Sequence, residues 1–338
     1  MNIKTIAKMS GVSVATVSKI INNYSDVGEE TRQRVLKILE ETGYRPSSSA
    51  KTLVTKKSHL IGIVFAGKLN SDLNHPFFAD VLNSFKKQMG LFGYDLLMFS
   101  NEKFFEARED YLARCLHFSV DGCIIIAGDE IEASLLKLDQ SHIPCIGVDI
   151  ELSGSTSAYI TSDNAKIGAK VVEHFYLNGY REVGFMGIER GSRIITIREE
   201  AYREALKNFG IAYNPAWFIH SKDYDEEYGY RAMKRLIATN SYPRAMFCST
   251  DLLAFGAMRA IKEAGLSVPS DIAIVGCDDL DACRYTDPSL TTVRQDRDKI
   301  GKMAALILCD LINKQLDTTS FMIDPEIVIR QSCGDQFH

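Results

Sequence analysis

The chain has 338 residues, 46% hydrophobic and 25% charged, with a formal net charge of −5. That length suits two or three domains with real cores, and no apolar run reaches membrane-spanning length, so a helical membrane span is excluded. The charge is lopsided: residues 1–59 hold 10 Lys+Arg against 5 Asp+Glu, which leaves 29 against 39 for the rest. An acidic protein with a basic head concentrates its attraction for phosphate at that head.

Thr5 to Asn22 reads as two short helices joined by a turn at Gly11, with Asn2 and Ser13 as their caps. Ile6, Ala7, Val12, Val17, Ile20 and Ile21 are spaced to face inward. Val14, Ala15, Thr16, Ser18 and Lys19 are left outside, on a helix suited to a DNA major groove. An ordinary helical hairpin shares this periodicity. The small, hydroxylated outer face and the basic head favour a helix-turn-helix. So does a third amphipathic helix at 29–42, predicted to turn Val35, Leu36, Ile38 and Leu39 inward. Gly28 precedes it as a weaker cap.

Pro46 and the serines at 47–49 read as a linker, although 50–57 can make two helical turns. A helix that short is marginal alone and forms only when packed against something. A conditional switch and a plain tether both remain open on these residues.

From Leu60 the pattern changes to alternating strands and helices. Strands are predicted at 60–65, 95–99, 122–126, 144–148, 182–186, 245–248 and 272–275, with a helix at 77–91 after the first. Continuous apolar strands between amphipathic helices indicate parallel sheets covered on both faces. The run is too long for one sheet and predicts two doubly wound lobes dividing near Tyr159–Thr161. Ligands in such folds sit beyond the carboxyl ends of the strands.

The eight cysteines show no C-x-x-C spacing and read as small buried hydrophobes of a reducing compartment. No metal and no cofactor is expected. The opening residues form a folding motif with no export pattern, which points to the cytoplasm. Nucleotide-using enzymes are disfavoured, since neither G-x-G-x-x-G after a strand nor G-x-x-x-x-G-K-[ST] occurs. Nothing marks the paired acid and nucleophile of a glycosidase.

The segment from Ile6 to Ser18 has the form Ile-Ala-x-x-x-Gly-Val-Ser-x-x-Thr-Val-Ser. With Gly43-Tyr44-x-Pro46, Val120-Asp-Gly122, Ser162-Asp-Asn164, the 198–206 stretch, Asp251-x-x-Ala-x-Gly256, Val275-Gly-Cys-Asp278-Asp279 and Leu290-Thr-Thr292, it resembles the lactose-repressor (LacI/GalR) family from end to end. The resemblance implies a small all-α helix-turn-helix head on an α/β body of two doubly wound parallel-sheet lobes, periplasmic-binding-protein-like. It divides the chain into a head at 1–45, a hinge at 46–58 and a body at 59–338. The N-lobe is expected at about 59–160 plus 291–322, the C-lobe at about 161–290 plus 323–338. The implied assembly is a homodimer on a roughly palindromic double-stranded operator, one head per half-site. Tetramers of the family add a C-terminal leucine heptad that is not present here, so a dimer is expected.

Carried over from the family, Val14, Ala15 and Lys19 contact bases, while Ser13, Thr16, Ser18, Asn22 and Tyr44 contact phosphates. Lys19 can donate to guanine, and the two apolar residues suit thymine methyls. Lysine replaces the family's frequent arginine at 19 and loses its fork geometry. The hinge would fold on the operator and push Leu53 into the minor groove, behind Ala50 and Lys51.

The body resembles periplasmic sugar-binding proteins, whose lobes close on a ligand. Matching positions nominate Phe77, Phe78, Asp149, Arg198, Tyr224, Asp251, Asp278 and Gln295 for the effector. Rings stack on pyranose faces, carboxylates accept from paired hydroxyls, and Arg198 donates in a fork. Phe77 and Phe78 also read as core and Asp251 and Asp278 also as helix caps, whereas Arg198, beginning a helix, is hard to explain as packing. Cys277 replaces an aromatic and Thr250 a frequent asparagine. The expected function is a DNA-binding transcriptional repressor of a carbohydrate operon, switched by a sugar. A purine or a phosphoprotein corepressor on the same architecture is the alternative.

Overall fold

The computed structural model describes residues 1–45, 57–65, 75–99, 110–126, 133–189, 192–316 and 320–334. Two compact units result, Met1–Ser58 and His59–His338.

In the first unit, helices α1 (Ile3–Ser10), α2 (Val14–Ile21) and α3 (Glu29–Thr42) enclose a core of Ile6, Ala7, Val17, Ile20 and Val35. Asn2 caps α1 by accepting from the Thr5 amide, and Ser13 caps α2 by accepting from the Thr16 amide. Gly11 ends α1 in the left-handed region at φ 66°, which lets the chain reverse without strain. Gly28 gives α3 no side-chain cap. Leu36, expected inside, is 41% exposed. It lies about 100° round the helix from Val35, which already fills the narrow core. The hinge residues Ala50, Lys51 and Leu53 lie outside the described residues.

The second unit holds two sheets of six strands with the same winding. The first contains β1 (Leu60–Phe65), β2 (Asp95–Met98), β3 (Gly122–Ile126), β4 (Cys145–Val148), β5 (Ser157–Ser162) and β11 (Ser320–Ile323), ordered β11-β5-β4-β3-β1-β2 and all parallel. The second contains β6 (Val183–Ile188), β7 (Phe218–Ser221), β8 (Ala245–Cys248), β9 (Ala273–Asp278), β10 (Thr291–Arg294) and β12 (Glu326–Val328), ordered β12-β10-β9-β8-β6-β7. There only β12 runs antiparallel, on β10. Strands 3 and 4 of each sheet are fully buried, as continuous apolar runs require in doubly covered sheets.

Three crossings join the lobes. The first follows β5, so the first sheet extends through Ser162, beyond the division expected near 159–161. The second follows β10. Thr291–Arg294 pairs with β9 in the second sheet, so the assignment of 291–294 to the N-lobe is corrected. The chain enters the first lobe only with helix α11 (Arg297–Ile312), which packs on α4 (Pro76–Leu91). The third crossing lies between β11 and β12, so Ile323 also belongs to the first sheet.

Helices α5 (Tyr111–Phe118) and α6 (Ala133–Asp139) cover one face of the first sheet. In the second lobe, α7 (Asn164–Leu177) pairs with α8 (Arg193–Asn208), and α9 (Glu226–Ile237) with α10 (Asp251–Glu263). Gly168 of α7 allows the first pair to meet backbone to backbone. A Cβ there would lie 2.4 Å from the Arg198 carbonyl oxygen of α8.

Candidate functional site

The outer face of α2 is small and tightly organised. Ser13 and Thr16 hydroxyls lie 2.9 Å apart at its N-terminus, where helix amides favour an anion. Val14 is 40% exposed, and its neighbour Ala15 and Lys19, about one turn beyond Ala15, are exposed as well. The Lys19 ammonium is paired with Asp26, which follows the helix. Asn22 donates its side-chain amide to the Ser18 carbonyl at 2.9 Å and so closes the last turn. Tyr44 packs against the core and is partly buried.

In the second unit the carboxyl ends of both sheets face a cleft of about 370 Å³. That is room for one small ring compound or two. His75, Phe77, Phe78, Asp149 and Thr161 come from the first lobe; Ile188, Arg198, Tyr224, Thr250 and Asp278 come from the second; Gln295 comes from the crossing. The His75 ring meets Tyr224 edge-on with centroids 5.0 Å apart, so this contact bridges the lobes.

Arg198 is 2% exposed and anchored on two sides. Its Nε donates to Asn164 Oδ1 at 2.8 Å, and Nη1 donates to the Ser249 carbonyl at 2.7 Å. Asn164 Nδ2 donates in turn to Thr161 Oγ1 (3.1 Å), whose hydroxyl donates to Asp149 Oδ1 (2.6 Å). One chain of hydrogen bonds therefore runs from the first lobe through the crossing to the guanidinium. Asp278, strained at φ 131°, accepts at Oδ1 from Gln295 Nε2 at 2.6 Å. Its Oδ2, Gln295 Oε1 and His75 Nδ1 are buried and make no hydrogen bond among the described residues.

Burial sets the charge here. It lifts the Asp278 carboxyl to about 8, helped by nearby Asp251 and opposed by Arg198. Burial raises Asp149 as well, against the Thr161 hydrogen bond and Arg198. Burial, reinforced by the Arg198 charge, pushes His75 down to about 4. Near neutral pH the floor thus holds a protonated Asp278 beside a neutral imidazole and a fixed guanidinium.

Comparison with known proteins adds an independent finding. Residues 2–47 match the family described as bacterial regulatory proteins, lacI family, and residues 172–333 match a periplasmic binding protein-like domain. The chain is 32% identical over 337 residues to the HTH-type transcriptional repressor PurR of Photobacterium profundum, covering 98% of both. It is 31% identical over 336 residues to PurR of Photorhabdus laumondii, covering 98% of this chain and 97% of that one. The chain belongs to the lacI family of bacterial regulatory proteins. Its fold matches the Lac repressor dimer bound to operator and the anti-inducer ONPF at TM-score 0.83 and 24% identity, over 98% of this chain and 99% of that one. As a lacI-family member it is a DNA-binding transcriptional regulator.

Seven of the eight effector residues named from sequence line the cleft of this lacI-family chain: Phe77, Phe78, Asp149, Arg198, Tyr224, Asp278 and Gln295. Asp251 does not. It is the first residue of α10, 0% exposed, and its carboxylate accepts from Thr292 (2.5 Å), the Leu280 amide (2.8 Å) and the Cys283 thiol (3.0 Å). Nor does it cap α10, since Thr250 does so through the Leu253 amide. Asp251 ties three segments of the second lobe together. Arg198 is the sixth residue of α8 and not its first.

Sequence reasoning passed over His75, Thr161, Asn164 and an aliphatic wall of Ile188, Ile194, Ile195 and Ile197. His75 is signalled only by preceding the nominated Phe77, and Asn164 stands inside the Ser162-Asp-Asn164 motif with no role attached to it. The isoleucines carry no signal, because helix periodicity does not tell a core face from a cleft face.

Proposed function

We propose that the protein is a repressor that grips a pseudo-palindromic operator as a homodimer, and that a purine-type heterocycle in the cleft controls that grip. Val14, Ala15 and Lys19 read bases in this scheme, while Ser13, Thr16, Ser18, Asn22 and Tyr44 position the head on phosphates. The observation that carries the ligand class is the division of the cleft into greasy walls and a short polar floor. Isoleucines and rings line part of the sides, and Asp278 Oδ2, Gln295 Oε1 and His75 Nδ1 are buried without a hydrogen bond among the described residues, beside the Arg198 guanidinium.

A flat base with apolar faces and one polar edge suits that division. Its carbonyl accepts from Arg198, a ring N–H donates to Gln295 Oε1, and a ring nitrogen accepts from protonated Asp278. A hexose needs partners all round its rim, and along the stretch of Ile188, Ile194, Ile195 and Ile197 the wall supplies none. The kinship with PurR repressors supports the same choice over the sugar expected from the motifs.

Calorimetry on the full chain tests this with hypoxanthine, guanine and adenine against a panel of hexoses, pentoses and disaccharides. Purine binding that tightens operator binding is the expected result. Flat purine titrations beside a sugar that binds and releases operator would return the protein to carbohydrate control. Flat titrations throughout, with operator binding enhanced by a phosphoprotein recovered from lysate, would favour a protein corepressor.

A further inference from the structure

The Lys19 ammonium forms an ion pair with the Asp26 carboxylate, and the two side chains are 48% and 56% exposed. The segment carrying Asp26 is fixed to the end of α2. The Tyr24 amide donates to the Lys19 carbonyl at 2.9 Å, and Arg32 clamps Asn23 Oδ1 (2.9 Å) and the Tyr24 carbonyl. The hydrogen bond from Lys19 also holds the Asp26 carboxyl below its ordinary value, so the acid is ionised whenever the head meets DNA.

A lysine on a four-carbon stem is a mobile point charge. Left alone at the end of a recognition helix, it can reach phosphates as readily as base edges, which adds general affinity and little discrimination. A carboxylate beside it changes both options. It is repelled by phosphate, so it draws the ammonium away from the backbone. It also places an acceptor next to the donor. In the major groove a G·C pair shows guanine O6 and N7, which accept from an ammonium, beside cytosine N4–H₂, which donates to a carboxylate. Two adjacent acceptors followed by a donor is the pattern of this pair alone in this order: A·T puts the single acceptor adenine N7 before its N6–H₂ donor and a further acceptor, thymine O4, beyond it.

We propose that Asp26 is a specificity-determining residue of the DNA-reading head, which with Lys19 reads a single G·C base pair. This rests on Lys19 facing base edges, as in the proposed function.

The test uses full-length protein as wild type, Asp26→Asn, Lys19→Ala and the double variant. Each is selected against a library of 20-base-pair duplexes with a randomised core. Each is then titrated on the wild-type selected duplex, on versions with single G·C pairs changed to A·T, and on an unrelated duplex. Wild type should prefer G·C at one pair per half-site by roughly tenfold or more. Asp26→Asn should reduce that preference to under about threefold, tighten binding to the unrelated duplex, and steepen the log–log salt slope by about two, one for each head of the dimer. Lys19→Ala should abolish the preference at the same pair, and adding Asp26→Asn should change it no further.

If Asp26→Asn only raises general affinity and keeps the full G·C preference, Asp26 is a bystander and the proposal falls. If Lys19→Ala itself keeps the preference, the placement of Lys19 at base edges fails and carries this proposal with it. Melting of each variant shows that the exposed substitutions leave the head folded.

Discussion

Gly168 lets α8 pack close enough for Arg198 to reach its hydrogen-bond partners, and Gly168→Ala should show it. The added Cβ would lie 2.4 Å from the Arg198 carbonyl oxygen, 2.8 Å from the Tyr202 nitrogen and 3.3 Å from the Ala201 carbonyl carbon. All three are backbone atoms, so no side chain can swing aside. Carbon–oxygen contacts settle near about 3.3–3.6 Å, so α8 must retreat by about 1 Å. Overpacking of this kind costs roughly 1–3 kcal/mol, and the better helix propensity of alanine returns up to about 1 kcal/mol of that. A net loss of about 1–2 kcal/mol lowers Tm by about 3–6 °C for a unit of this size.

The same retreat stretches the bonds from Arg198 to Asn164 Oδ1 and the Ser249 carbonyl, now 2.8 and 2.7 Å, past the hydrogen-bond limit. Hydrogen bonds to charged groups are worth about 1.5–3 kcal/mol, so effector affinity should fall roughly tenfold to a hundredfold. Scanning calorimetry and effector titration of the full chain read the two effects. Gly90→Ala is the control, because nothing lies within 4 Å of its added Cβ and it should be neutral or slightly stabilising. Gly168→Ala that melts with wild type and binds effector equally well would refute the close-packing account of Arg198.

Asp278 keeps its proton to about pH 8 in the folded chain and loses it near 3.8 when unfolded, so the folded state binds more protons between those values. Stability from this group therefore falls as pH rises from about 4 to 8, by at most about 1.4 kcal/mol per unit. Asp278→Asn should flatten that limb in a series of urea melts; an unchanged slope would place the proton elsewhere. Asp251→Ala leaves the Leu280 amide, Thr292 and Cys283 without their acceptor and should cost about 2–4 kcal/mol of stability. Effector affinity should change less than about threefold, since Asp251 lies outside the cleft. Loss of binding at unchanged Tm would restore it to the ligand site. Ser13→Ala removes the cap on α2 and should cost the head about 1 kcal/mol, seen as a lower melting point of the first unit alone.

What was legible in the sequence was local. Asn2, Ser13 and Gly11 mark helix ends by interactions within four residues, and the strands at 60–65 and 122–126 announce themselves as unbroken apolar runs. What failed was long-range. The 291–294 segment reads as a strand from its composition, but its sheet is decided by pairing with β9 and by where the next helix docks. Asp251 and Asp278 are both acids at a strand-to-helix or strand-to-loop junction of the second lobe. Only the three-dimensional arrangement shows that Thr292, Leu280 and Cys283 have consumed the first, while the second keeps an oxygen unpartnered among the described residues. Composition at a site can name the chemistry available without saying which groups are already spent.

That distinction bears on how a ligand could move the lobes. Part of the cleft lining sits on the connections themselves: Thr161 and Asn164 flank the first crossing, Gln295 begins the second, and Met322 lies just before the third. On the proposed reading, the backbone that would rotate during opening therefore carries Asn164, the partner of Arg198, and Gln295, the partner of Asp278. Opening would also part His75 from Tyr224 and stretch the chain from Asp149 through Thr161 and Asn164 to Arg198. A ligand bonded to Arg198 and Asp278 on one side and packed on Phe77 or Phe78 on the other has full contact only in the closed posture. It shifts the equilibrium by that difference in contact and by nothing else. Substitutions at the crossings should accordingly change ligand affinity and the closed population together, whereas loss of a wall isoleucine should weaken binding to both postures and leave their ratio nearly unchanged.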